Sequence, residues 1–168
     1  MFDSCVLGVD PGLTTLGLAA VRRIDRRQEL LYAATVRTPD GLPEADRLRL
    51  IHTAVRDAIA THRPGSVAVE RVAWNRNQRS ALHVARATGV VLLAASEAGL
   101  AVEEYGPLEV KMAVTGQGNA DKAQVRDALA RLHGLADVPT QPDAADAVAV
   151  ALCHLTQSRL RGVARLAT

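Results

Sequence analysis

SCVLGVD, residues 4–10, is an apolar run of strand length that closes on an acid, and SVAVE, residues 66–70, repeats that pattern later in the chain. Short apolar runs bounded by polar or turn residues read as buried strands. Outward from the first run, Gly12 turns the chain into TTLGLAAVRR (14–23), a second β-like stretch. After a polar turn at 25–27, residues 29–36 read as a third strand, which Pro39, Gly41 and Pro43 end. Before SVAVE, the apolar positions Leu48, Ile51, Val55 and Ile59 recur every three or four residues, the spacing of an amphipathic helix over 44–62. Pro64-Gly65 stops it.

Beyond SVAVE, residues 78–99 predict a long helix with Leu82, Ala85, Gly89, Leu92 and Leu93 on one side, and AVEEY (101–105) a short strand. A helix over 108–114, a Gly-rich loop at 115–119 and a helix over 120–133 follow. Asn119 is the expected cap of that last helix, and Val125, Leu129 and Leu132 its apolar face. The final helix begins near Pro142, a favoured first-turn residue, and is expected to run to about Ser158. An opening meander implies antiparallel pairing, and strand–helix–strand–helix–strand implies parallel pairing. The expectation is an α/β fold: a mixed five-stranded sheet with helices on both faces. One domain spans 1–158, and a basic, flexible tail occupies 159–168.

Composition bounds the function. The chain has 168 residues, 48% hydrophobic and 23% charged, as a single globular domain requires. Aromatics are only 2%, so the core is aliphatic and the lone Trp74, in a polar stretch, stands out. No apolar run approaches the ~20 residues of a membrane span, and the first residues do not resemble a secretory signal. Cys5 and Cys153 sit in apolar runs and read as small buried hydrophobes. These features predict a cytoplasmic location. The net charge of +2 is weak evidence for nucleic acid, but of 20 basic residues only Lys111 and Lys122 are lysines. Arginine's planar fork does not replace a lysine's compact charge, so these two positions are candidates for specific roles.

The acids carry the chemistry. Adjacent strands bring Asp10 and Glu70 together at one edge of a sheet, where ligand sites of α/β folds lie. A structural role remains open for either acid alone, as a helix cap or an acceptor of turn hydrogen bonds. Asp143 and Asp146, in the run DAAD, are three apart and share one helix face. Asp143 also suits a helix N-terminus as a dipole complement, whereas Asp146 precedes an apolar stretch and lacks that explanation. Four acids in one cleft repel one another, so some of them are protonated at neutral pH. Two divalent cations relieve that repulsion. All-oxygen ligation favours Mg²⁺ or Mn²⁺, and such a pair suits in-line attack of water on a phosphodiester.

Together, GVDPGLTTLG (8–17), VAVER (67–71), VKMAVTGQGNADKAQV (110–125) and PDAADAVAVALCH (142–154) resemble the RuvC Holliday junction resolvases, in the same order and across nearly the whole chain. The resemblance implies an RNase H-like fold and an endonuclease of recombination and repair. It would make paired symmetric nicks in four-way junction DNA, leaving 5′-phosphate and 3′-hydroxyl ends. It also implies a homodimer, and a RuvA–RuvB branch-migration complex as partner. The family's catalytic and metal-binding acids fall on Asp10, Glu70, Asp143 and Asp146, and its two functional basic positions on Lys111 and Lys122. One of those lysines would hold a phosphate and the other neutralise transition-state charge; the sequence does not say which does which.

One departure stands out. The family's junction-stacking aromatic lies three residues after the strand-end acid, a place held here by Ala73, with Trp74 next. Either Trp74 takes over the stacking with a shifted loop, or the wedge is absent; a core position is the ordinary alternative for Trp74. Arg71, Arg76 and Arg79 flank it and suit a strand-separated DNA backbone, although a solvated charge cluster is the ordinary alternative. The helix over 78–99, with Gly89 allowing close approach, is the candidate dimer interface; packing within one subunit is its alternative. Three rival functions share parts of this pattern. An actin-like kinase would require a second lobe, for which the chain is too short. An RNase H-like nuclease acting on RNA is disfavoured by the DAAD helix and both lysines. A DNA-binding protein without catalysis leaves four acids unexplained.

Overall fold

The computed structural model describes residues 4–25, 27–71 and 78–166, with the side chains of 78–80 and 159–166 outside that description. Strands β1 (Ser4–Asp10), β2 (Thr15–Ile24), β3 (Arg27–Arg37), β4 (Ser66–Glu70) and β5 (Ala101–Tyr105) form one sheet in the order β3-β2-β1-β4-β5. β1 pairs antiparallel with β2, and β2 with β3; β1 pairs parallel with β4, and β4 with β5. This is the expected mixed sheet. Helix α1 (Glu44–His62) separates β3 from β4, and α2 (Gln78–Glu97) separates β4 from β5. Helices α3 (Pro107–Thr115), α4 (Lys122–Arg131) and α5 (Pro142–Leu166) complete the chain.

Side chains alternate across a strand, and here the alternation sorts the core into two layers. Leu7 and Val9 of β1 and Val67 and Val69 of β4 face α1 and α2, packing with Ile51, Val55, Ala87, Val91 and Ala95. Val6 of β1, Ala19 and Val21 of β2 and Ala68 of β4 face the other way, against α5 and residues of α3 and α4. Helices therefore cover both faces. The middles of β1, β2 and β4 are apolar on both sides because neither side meets water there.

Three details depart from the sequence expectations. Helix α4 is capped by Asp121 rather than Asn119. The Asp121 carboxylate accepts from Gln124 N at 2.8 Å, and the Gln124 side-chain oxygen accepts from Asp121 N at 2.8 Å. That reciprocal pair satisfies two end groups, where Asn119 offers one acceptor. Leu132, expected on the apolar face of α4, lies beyond its last turn and is exposed. Helix α5 continues past Ser158 to Leu166, because the tail RLRGVARL contains good helix formers and no proline.

Helix α2 turns one side to the sheet and leaves the side named as the candidate interface open. Its sheet-facing side is Ala87, Val91, Ala94 and Ala95. The side holding Leu82, Ala85, Gly89 and Leu93 points outward, with Leu82 51% and Leu93 53% exposed and Leu92 half-buried.

Candidate active site

Strand parity decides which acids can meet. Asp10 shares the α5-facing side of β1 with Val6 and Gly8, and Glu70 shares the same side of β4 with Ser66 and Ala68. The parallel register pairs Val9 with Val69, and one residue further it brings Asp10 beside Glu70. Both acids stand at the carboxyl ends of neighbouring parallel strands.

Asp143 and Asp146 arrive from α5, and two glycines let that helix come close enough. A Cβ on Gly8 would overlap the carbonyl oxygen of Ala147, and one on Gly17 would overlap the carbonyl oxygen of Asp143. Gly17 stands opposite Asp10 in the antiparallel register, so any side chain there would wedge α5 away from Asp10. Glycine inside a strand marks a close backbone approach. That signal is present in TTLGLAAV, where the apolar pattern alone predicts only a strand.

The turn after Asp10 is braced from behind. Thr38 Oγ1 donates to Leu13 O at 2.5 Å. Arg47 of α1 donates from Nε to Thr38 Oγ1 at 2.8 Å and from a terminal nitrogen to Thr14 Oγ1 at 2.9 Å. Helix α1, across the sheet from α5, thus holds the loop that ends β1.

The site is a cleft of about 310 Å³ lined by Asp10, Glu70, Lys111, Lys122 and Asp146 over a floor that includes Val110 and Ala149. Burial, together with the carboxylates of Glu70, Asp146 and Asp143, pushes Asp10 up from an ordinary 3.8 to about 8, while Lys122 opposes the shift. Glu70 is also raised, by burial and then by Asp146. A hydrogen bond from the Asp10 carboxyl and the charges of Lys122 and Lys111 pull the other way. A hydrogen bond between two carboxyls requires one of them to hold a proton, as the sequence led us to expect for crowded acids. Lys122, at the first turn of α4, places Nζ 2.7 Å from Asp146 Oδ2. That contact raises its own pKa.

The donor set suits a hard cation: oxygen ligands, partly buried, with more negative charge than the two lysines balance. Among the described residues no three of these groups yet close on one point as metal ligands, and Asp146 is turned toward Lys122 instead. Lys122 contacts the α5 acid and also acts electrostatically on Asp10 and Glu70, and Lys111 acts on Glu70.

Arg71 is exposed, donates to Glu104 O at 3.1 Å and lies 4.0 Å from Glu109. Ala73, Trp74 and Arg76, and the side chain of Arg79, lie outside the described residues. Cys153 is buried and Cys5 half-buried, both as free thiols. Among the described residues no helix is long and apolar enough to cross a membrane.

A sheet of this topology, with acids at the ends of its central strands and on the helix behind them, defines the class of RNase H-like nucleases. The family model for crossover junction endodeoxyribonuclease RuvC matches residues 6–154. A RuvC from Frankia alni is 48% identical over 95% of this chain and 83% of its own, and one from Halothermothrix orenii is 40% identical over 92% and 94%. The solved T. thermophilus RuvC in complex with Holliday junction substrate superposes with a TM-score of 0.87, at 38% identity over 94% of this chain and 96% of that one. The chain belongs to the RuvC family of crossover junction endodeoxyribonucleases. Membership implies an endonuclease that depends on a divalent metal.

Proposed function

We propose that this chain resolves four-way DNA junctions in recombination and repair, cutting two symmetric phosphodiesters with Asp10, Glu70, Asp143 and Asp146 holding two Mg²⁺ or Mn²⁺ ions. The observation that carries the reading is the meeting of Asp10 of β1, Glu70 of β4 and Asp146 of α5 in one cleft, where burial and the charges of these acids and of Asp143 lift Asp10 to about 8. Folding does not retain such a conflict without use, and bound cations would remove it. The solved relative in complex with a Holliday junction supports the choice of substrate.

When bound, a pair of divalent cations supplies charge neutralisation and activation of water for in-line attack, leaving 5′-phosphate and 3′-hydroxyl ends. The protein's part is arrangement. Asp10 and Glu70 sit on strands locked by the β1–β4 register, so their separation is set by the sheet. Asp143 and Asp146 come from a helix seated on Gly8 and Gly17. To join the set, Asp146 turns from Lys122. The freed ammonium is then placed to meet a phosphate oxygen and stabilise charge that develops on it. Lys111, which also lines the cleft, would hold the strand. Arg71, Trp74, Arg76 and Arg79 would guide unpaired DNA over the cleft, with Trp74 stacking on a base.

Two cuts related by symmetry call for two active sites, and the outward apolar side of α2 is the surface we assign to a homodimer. Leu82 and Leu93 are exposed on it, and among the described residues no group lies where a Gly89 side chain would go. A RuvA–RuvB branch-migration complex as partner and a cytoplasmic location follow from the family reading.

The test is cleavage of a four-way junction with Mg²⁺, Mn²⁺ or EDTA, beside Asp10→Asn and Asp146→Asn. Paired nicks that need the metal and vanish in both variants support the proposal. Cleavage that survives EDTA or either variant contradicts it.

A further inference from the structure

Away from the cleft, His154 of α5 makes polar contacts to two strands at once. Its Nε2 lies 3.0 Å from Ser66 Oγ, at the start of β4, and its Nδ1 lies 2.9 Å from Tyr105 Oη, at the end of β5. The Tyr105 ring meets the imidazole edge-on, with centroids 5.8 Å apart. A neutral imidazole offers one N–H and one lone pair. One hydroxyl therefore accepts and the other donates, and either tautomer satisfies both.

The three residues are bound to the functional elements. Ser66 starts the strand that ends in Glu70, on the same face. Tyr105 pairs with Glu70 in the β4–β5 register, and Gly106 after it caps α3, which carries Lys111. His154 follows Asp146 by eight residues, ~12 Å along the helix. Helix α5 lies chiefly across β1 and β2, and Arg23 of β2 donates to Leu155 O at 2.7 Å on that side. Toward β4 and β5, His154 supplies directional ties from α5. Packing alone does not fix its ring, because a cavity of about 440 Å³, also bordered by Cys5, Gly65 and Ser158, opens beside it.

We infer that His154 is a positioning residue: by joining β4 and β5 to α5 through Ser66 and Tyr105, it sets the spacing between the Asp143–Asp146 pair and Glu70, and so the affinity of the cleft for divalent cations. The inference rests on reading those acids as the cation site. Residues that orient metal ligands from outside typically contribute 10–100-fold to affinity, and a helix free to slide over β4 would lose a comparable part.

The experiment measures Mn²⁺ binding to the full chain by electron paramagnetic resonance, with junction binding in EDTA and junction cleavage alongside. Asp146→Asn, His154→Ala, His154→Gln, Ser66→Ala and Tyr105→Phe are compared with the parent. We expect Asp146→Asn to lose tight Mn²⁺ binding and cleavage together. His154→Ala should weaken Mn²⁺ binding roughly tenfold with junction binding in EDTA unchanged, and Gln, whose amide can reach Ser66, should restore part of it. If His154→Ala does not fold, the two hydroxyl deletions decide. Each should weaken Mn²⁺ binding, whereas unchanged Mn²⁺ binding in both overturns the inference. So does His154→Ala with parental Mn²⁺ affinity, or with equal losses in Mn²⁺ and junction binding. If Asp146→Asn itself keeps Mn²⁺ binding and cleavage, the cation-site reading fails, and the inference with it.

Discussion

Asp10 is where burial and charge conflict most sharply, and its protonation links the cleft to stability. The folded chain, with Asp10 at about 8 against an ordinary 3.8, holds this proton more tightly than the unfolded chain does. The stabilisation is complete below the unfolded value and is lost as pH rises through the folded one. Without divalent metal, the melting temperature should therefore fall between about pH 4 and pH 8. Asp10→Asn should flatten that slope, and Mn²⁺ should raise the melting temperature most at the alkaline end. A metal-free melting temperature that climbs through this window would contradict the assignment. Lys122 allows a second test, because it neutralises Asp146 in the cleft. Lys122→Met should lower kcat by about 10²–10³, the usual loss when one transition-state charge partner is removed. Mn²⁺ binding should stay intact or tighten. A joint loss of Mn²⁺ binding would instead make Lys122 a structural support.

At the scale of elements, the approach of α5 to the sheet controls the site. Gly17→Val forces a side chain against the Asp143 carbonyl. It should cost roughly 1–3 kcal/mol of stability, as overpacking does, and reduce Mn²⁺ binding and cleavage by more than the unfolded fraction explains. Denaturant melts and Mn²⁺ titrations on one sample separate the two effects. Strands were readable from sequence here because SCVLGVD and SVAVE are continuous apolar runs, and their terminal acids marked the cleft before any coordinates. The spacing of DAAD likewise placed two acids on one helix face. What the sequence did not yield were contacts set by the tertiary packing. Gly8 and Gly17 matter through the helix that lies on them, and the Ser66–His154–Tyr105 chain joins residues that only the sheet register brings together. The Asp121 cap was legible as D-x-x-Q, but Asn119 came first in the chain. The end of α5 was missed because its tail lacks the proline or terminal glycine that would mark a stop.

For the whole molecule, one face of α2 is exposed among the described residues. Leu82, Ala85, Gly89 and Leu93 give it an apolar strip suited to a two-fold contact, in which the same surface serves both copies. Leu93→Glu should weaken dimerisation about tenfold or more, the effect of a central interface residue, as read by sedimentation velocity at micromolar protein. Junction cutting should shift from paired to single nicks. A variant that sediments like the parent would return this strip to the solvent. The central claim, that four acids distant along the chain share hard cations, is tested most directly by anomalous diffraction from crystals soaked in Mn²⁺. The account predicts two peaks enclosed by Asp10, Glu70, Asp143 and Asp146, with Lys122 displaced from Asp146. A map without anomalous density between these side chains, from crystals that bind Mn²⁺ elsewhere, would contradict it.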